Sequence, residues 1–97
     1  MISVLFEVQV REGHADRYLD LAASLKPKLV AMGGCLFIDR FKSLTRANLL
    51  LSYQIWQDEG SMTAWRVEPH HHRVQDHVQP SVLKVVIYVG ERSEHPR

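Results

Sequence analysis

With 45% hydrophobic and 24% charged residues and only five glycines and four prolines, the 97-residue chain has the make-up of one globular domain, too short for two cores and too apolar to be disordered. Twelve basic side chains against eleven acidic ones, with no basic run and no interleaving of arginines with aromatics, give no electrostatic footprint for nucleic acid. A single cysteine, Cys35, excludes an internal disulfide and any CxxC-type zinc, redox or haem-attachment motif, which fits a reducing cytoplasm.

The chain opens with MISVLFEVQV, which lacks a basic segment leading into an unbroken apolar run. No apolar stretch approaches the ~20 residues of a bilayer span, so neither secretion nor membrane insertion is expected. Instead Ile2, Val4, Phe6, Val8 and Val10 alternate with Ser3, Leu5, Glu7 and Gln9, a period of two that predicts a strand with one strongly apolar face. After the turn Arg11-Glu12-Gly13, residues 14–32 place Ala15, Tyr18, Leu19, Ala22, Leu25, Leu29 and Met32 at helical spacing and predict an amphipathic helix. Gly33-Gly34 closes it where a left-handed cap is wanted. Pro27 removes a backbone hydrogen bond, so a bend near Ala23 or a restart at Pro27 is expected.

Cys35 to Lys42 and Ala47 to Trp56 read as two strands joined by the hairpin-length loop SLTR. Asp58 is a plausible N-cap for a second helix beginning EGSMTAWRV, and Val82 to Val89 is a nearly continuous apolar run, the pattern of a strand covered on both faces. The order strand, helix, strand, strand, helix, strand predicts an α+β ferredoxin-like βαββαβ fold with a four-stranded antiparallel sheet and two helices on one face. Residues 1–90 are expected to form the domain, and 91–97 a polar C-terminal tail. The sheet face away from the helices also carries apolar side chains, among them Leu5, and a homodimer burying sheet against sheet would cover them.

The second helix holds the stretch TAWRVEPHHHRVQDH, with four histidines. At about 100° per residue its apolar stripe is Ala64, Val67, Val74 and Val78, with His71 filling the missing position and facing the core. His70 and His77 then share a flank with Arg73, and His72 points away beside Asp76. Two imidazoles chelate one ion from a helix when they are four apart. Consecutive histidines fan apart, so the triplet is read as solvated surface and no metal site is assigned, with the reservation that a restart at Pro69 shifts the helix phase. His71 is either a core histidine with one hydrogen-bonded partner or a proton-moving group beside the aromatic wall of Trp65.

Several of these segments together resemble the antibiotic biosynthesis monooxygenase family of dimeric α+β barrel proteins, over about residues 2–89. They are Glu12-Gly13-His14, Phe41-Lys42-Ser43, the run from Ser52 to Glu59, Ala64-Trp65-Arg66, and then Pro69, His71 and Gln75. The resemblance implies a homodimer with a pocket between sheet and helices in each subunit, and a chemistry that ranges over oxygenation of aromatic phenols without metal or flavin, quinol oxidation and haem breakdown. By that resemblance Trp65 matches a pocket-lining tryptophan, and His71 stands where an oxygenating member has a tyrosine and many family sequences have a histidine. Ser61 replaces an asparagine of the oxygenating members. Glu7 and Gln75 stand near or at positions where haem-degrading members have asparagine and a ligand histidine, so haem is not expected. The implied function is a cofactor-independent monooxygenase or quinol oxidase for a small aromatic phenol, with molecular oxygen as co-substrate. His71 and Trp65 are its catalytic pair, and Ser61, Arg66, Phe6, Phe37 and Tyr53 are its substrate contacts. The alternatives are a non-enzymatic dimer that binds a small ligand or serves a stress-related role, or a haem-degrading monooxygenase.

Overall fold

The computed structural model describes residues 1–91, except for the side chain of His70; the expectations for 92–97 and for the face taken by His70 lie outside the described residues. The elements are β1 (Ile2–Val10), α1 (Ala15–Ala23), α2 (Lys26–Met32), β2 (Cys35–Lys42), β3 (Leu49–Trp56), α3 (Glu59–Arg66), α4 (Pro69–Val78), a 3-10 turn (Gln79–Ser81) and β4 (Val82–Glu91). The four strands pair antiparallel in the order β2-β3-β1-β4, and the helices lie on one side of the sheet. This is the ferredoxin-like arrangement that the alternation and helix periodicity predict.

Pro27 acts as the sequence suggests. The first helix stops at Ala23 and α2 begins at Lys26, with Pro27 in its first turn, where a missing N–H leaves no bond unmade. The strand expected from Ala47 begins instead at Leu49, because Asn48 takes a left-handed conformation (φ 59°) that strand pairing does not accommodate. The Asn48 carbonyl accepts from Val10 N at 2.9 Å and from Gln9 Nε2 at 3.1 Å, which ties the β2–β3 turn to β1. The glycine-histidine pair that opens α1 ties the chain in a second place. Nδ1 of His14 lies 2.9 Å from the Ser81 hydroxyl, and Ser81 is fully buried.

Strand register sorts the side chains onto two faces. Toward the helices point Val4, Phe6 and Val8 from β1, Leu50, Ser52, Gln54 and Trp56 from β3, Ile38 and Arg40 from β2, and Val85, Ile87 and Val89 from β4. The apolar members split into two packed groups. One joins Val4 and Trp56 to Leu25, Leu29, Met62 and Trp65; the other joins Val8, Val10 and Leu50 to Tyr18, Leu19 and Val82. Away from the helices the sheet shows Leu5, Leu51, Tyr53, Phe37, Phe41 and Tyr88, with Phe41 47% and Tyr88 54% exposed. The apolar second face expected from the sequence is therefore present. β4 departs from its pattern: it is an edge strand, largely exposed, and its apolar run is not covered on both sides within one chain.

The hinge between α2 and β2 rests on one glycine. Gly34 has φ +85°, and a Cβ placed on it would fall 2.5 Å from Ser61 Cβ, at the start of α3. Its carbonyl also accepts from Gln57 N at 2.8 Å, so neither wall can retreat. Gly34→Ala is expected to destabilise the fold by about 2 kcal/mol or more in urea unfolding, whereas Gly90→Ala, with open space around it, should change stability by less than about 1 kcal/mol.

Candidate active site

The second helix expected over the histidine-rich stretch is two helices, divided at Pro69, where the sequence leaves a restart open. Proline disfavours helical backbone in the residue before it, and Glu68 accordingly sits at φ −66°, ψ 130° as the N-cap of α4, its carboxylate accepting from His71 N at 2.8 Å. Asp58 caps α3 in the same way, accepting from Ser61 N at 2.7 Å; that bond, together with the Ser61 and Gln57 side chains, holds its carboxyl below the usual range. The break changes which residues face inward. Before it the buried residues are Met62 and Trp65, while Val67 is 64% exposed, so the stripe expected through Ala64 and Val67 is displaced. After it His71, Val74 and Val78 turn inward, as expected.

The same break produces the central contact of the site. In one continuous helix, residues six apart point about 120° away from each other. Here the Trp65 indole and the His71 imidazole stack, with ring centroids 4.4 Å apart and planes 14° from parallel. His71 Nδ1 lies 3.0 Å from the Trp65 carbonyl; a carbonyl only accepts, so Nδ1 carries the proton and donates. Nε2 is left with its lone pair. Burial lowers the His71 pKa from 6.5, with the bond to the Trp65 carbonyl acting in the opposite direction. The imidazole is thus a neutral base near pH 7, in a fixed tautomer.

Between the two packed groups, sheet and helices enclose a cavity of about 690 Å³. His71, Trp65, Arg66 and Phe6 line it, as do His72 and Asp76 of α4; His72 was expected to point away. Its floor holds a row across the sheet, Arg40 opposite Ser52, Ser52 opposite Phe6, and Phe6 opposite Ile87. Ser52 accepts from Gln54 Nε2 at 3.2 Å, and Gln54 Oε1 accepts from Trp56 Nε1 at 3.0 Å. Tyr18 of α1 closes this side, its phenol pushed up by burial and pulled the other way by Arg40.

Three expected substrate contacts lie elsewhere. Phe37 and Tyr53 belong to the outward parity of their strands and meet edge to face at 6.0 Å, on the opposite side of the sheet from the cavity. Ser61 stands against Gly34 at the start of α3 and is not among the lining residues. Tyr18, Arg40, Ser52 and Gln54, by contrast, are not among the site residues expected from the sequence, although Ser52 and Gln54 fall in the Ser52 to Glu59 run that carries the resemblance. Their signal is a polar side chain at an inward position of an apolar strand: Arg40 follows Ile38 at the same parity, and Ser52 and Gln54 stand between Leu50 and Trp56. Of the surface histidines, His77 Nδ1 lies 2.8 Å from the Arg73 carbonyl on the exposed side of α4. No group of three or more His, Cys, Asp or Glu gathers as metal ligands among the described residues.

Comparison with known proteins gives three findings. The family profile described as antibiotic biosynthesis monooxygenase matches residues 1–77. A protein of Pyricularia oryzae named jasmonate monooxygenase ABM is 37% identical over 84 residues, 87% of this chain; the chain spans only 39% of that relative's length. Among solved structures, a candidate antibiotic biosynthesis monooxygenase from Deinococcus radiodurans superposes with a TM-score of 0.89 at 18% identity, covering 100% of this chain and 97% of that one. Rv0793 from Mycobacterium tuberculosis gives 0.85 at 15% identity, covering 99% and 98%. At these identities the two structures report the fold.

The depressed His71 pKa makes stability depend on pH with a definite sign. The unfolded chain takes up the proton from 6.5 downward, but the folded chain resists until lower pH, so stability is lost as pH falls between the two values. In urea unfolding from about pH 8 to about pH 5, the wild type should lose stability relative to His71→Phe, which keeps a stacked ring and gains no proton.

Proposed function

The chain belongs to the antibiotic biosynthesis monooxygenase family, and from that premise we propose that it is a monooxygenase or quinol oxidase of small aromatic phenols and hydroquinones, needing no metal or flavin. The observation that carries the reading is His71, stacked on Trp65 at 4.4 Å with Nδ1 committed to a carbonyl and Nε2 left as a base at the wall of an apolar cavity. The relative named for jasmonate supports a small organic substrate over a macromolecular one.

The reaction has a physical requirement that this geometry meets. Ground-state oxygen is a triplet and reacts slowly with closed-shell molecules, so without a redox cofactor the substrate itself must supply electrons. A phenol does so far better as the phenolate. Nε2 of His71 takes the phenolic proton, and the Trp65 indole, stacked on the imidazole, holds the base in place at the cavity wall. The half-buried setting of His71 keeps it neutral for that step, and the apolar wall of Val4, Phe6, Val74 and Ile87 limits water around the developing radical pair or peroxide. Balanced, a phenol and oxygen give a quinone and water, one oxygen atom entering the ring as two hydrogens leave. A hydroquinone and oxygen give a quinone and hydrogen peroxide.

The protein is further proposed to act as a homodimer, joined through the sheet face that shows Phe37, Phe41, Leu51, Tyr53 and Tyr88. An exposed face this rich in large apolar side chains, although Glu7 and Asp39 share it, is unusual on a monomer, and the apolar run of β4 acquires its second cover in such a pair.

Three outcomes are expected. With 1,4-naphthohydroquinone in an oxygen electrode, His71→Ala should lower kcat/KM by about 10²–10⁴-fold; full activity in that variant would remove the base. The wild-type kcat/KM should rise with pH on an acidic limb centred below 6.5, because the active form is the unprotonated one. Sedimentation at micromolar concentration should give a dimer, and Phe41→Glu combined with Tyr88→Glu should give a folded monomer; a monomeric wild type contradicts the interface.

A further inference from the structure

The proposed oxidation uses the Trp65–His71 end of the cavity and leaves Arg40 without a role. Arg40 is half-buried on the inward parity of an edge strand, opposite Ser52. Its guanidinium makes a single long hydrogen bond among the described residues, from Nη2 to the Ala22 carbonyl at 3.5 Å. No Asp or Glu among those residues forms an ion pair with it. Asp39, its chain neighbour, belongs to the outward parity and accepts from the Arg40 backbone N–H at 2.8 Å. Around the cavity as a whole Lys26, Arg40 and Arg66 outweigh Asp39 and Asp76. An arginine cannot shed its proton when it leaves water, so a half-buried guanidinium without a counter-ion is a standing electrostatic cost.

The groups beside Arg40 add donors. The Ser52 hydroxyl oxygen already accepts from Gln54 Nε2 at 3.2 Å, which leaves its O–H free to donate. Tyr18, kept protonated by burial, lines the same cavity. A guanidinium fork with hydroxyl donors beside it matches a planar group with two anionic oxygens better than a phosphate dianion, which would call for more cations at the same place. The rest of the row, Phe6 and Ile87, is apolar. The next row of the floor, Val4, Gln54 and Ile38, packs into the group that holds Trp65. Adjacent inward rows are roughly 7 Å apart, a distance that a bicyclic aromatic ring bridges.

We propose that Arg40, with Ser52 and Tyr18, forms a carboxylate subsite, so that the cavity takes an aromatic acid, its carboxylate on Arg40 and its ring reaching toward Trp65 and His71. For the oxidation of that ring the inference rests on the function proposed above; the binding of the acid does not.

Calorimetric titration of the whole protein with 2-naphthoate and with its uncharged methyl ester tests it. The acid should bind at least ~10-fold more tightly than the ester. That preference should fall to about one in Arg40→Met, shrink several-fold in Arg40→Lys, and persist in His71→Phe. Equal affinity for acid and ester in the wild type, failure of the acid to bind, or a preference that survives in an Arg40→Met protein with wild-type melting temperature would each overturn the subsite. Should Arg40→Met fail to fold, the wild-type comparison and Arg40→Lys still decide. A parallel oxygen-uptake assay comparing 1,4-naphthohydroquinone with 1,4-dihydroxy-2-naphthoate separates the two readings. If the binding preference holds and neither compound is oxidised, the subsite stands and the oxidase reading falls. If both are oxidised with the same KM, the oxidase reading stands and the subsite falls.

Discussion

The arrangement of the site depends on the interruption of one helix at Glu68–Pro69. Proline imposes extended backbone on the residue before it, and that residue is a glutamate whose carboxylate then caps the helix that follows. The His71 amide, in the new first turn, therefore has its partner. It also rotates α4 relative to α3 far enough for residues six apart to stack face to face. Without it, Trp65 and His71 would sit on different sides of a single rod. The Trp65 carbonyl, near the C-terminus of α3, accepts from Glu68 N at 3.2 Å and is also the acceptor that sets the imidazole tautomer. One interruption thus supplies the stack, the tautomer and the orientation of the remaining nitrogen.

The cavity has a comparable cause on the sheet side. A ferredoxin-like sheet of this size would ordinarily close its helix-facing side with continuous apolar packing. Here the apolar residues form two groups, and the row between them, Arg40, Ser52, Phe6 and Ile87, carries two polar side chains. Polar groups at inward positions need partners, which the row finds in part through Gln54 and Trp56. Arg40 remains the least satisfied member. Polar residues at inward positions sacrifice core packing, and the open space beside them is where such a sacrifice acquires a use.

Much of the fold was legible because it rests on local periodicity. Alternation at Ile2 to Val10, the three- and four-residue spacing after His14, and the placement of Pro27 each express a preference that survives in the folded chain, and they lead to the observed topology without reference to distant residues. The misplacements share a physical origin in tertiary context. Neither CLFIDRFK nor LLLSYQIW reveals which parity faces the helices, so the pattern offers Phe37 and Tyr53 to a pocket from which the sheet separates them. Val67 follows helical spacing and is nonetheless exposed, because the break at Pro69 resets the phase. The apolar continuity of β4 reads as a strand covered on both faces, whereas within one chain it lies at the sheet edge and is largely exposed.

By itself the sequence determined the element order and the family, since each of these is carried by residue type and spacing along short stretches of chain, and it put forward Trp65 and His71 as the proposed catalytic pair. Only the tertiary structure decided how those two rings meet, because six-residue stacking requires a change of helix direction whose angle no local pattern encodes. It likewise decided that Tyr18, Arg40, Ser52 and Gln54 share one cavity. These residues come from α1, β2 and β3, and their proximity follows from strand register and from a helix laid across it, which are properties of pairing between segments distant in the chain.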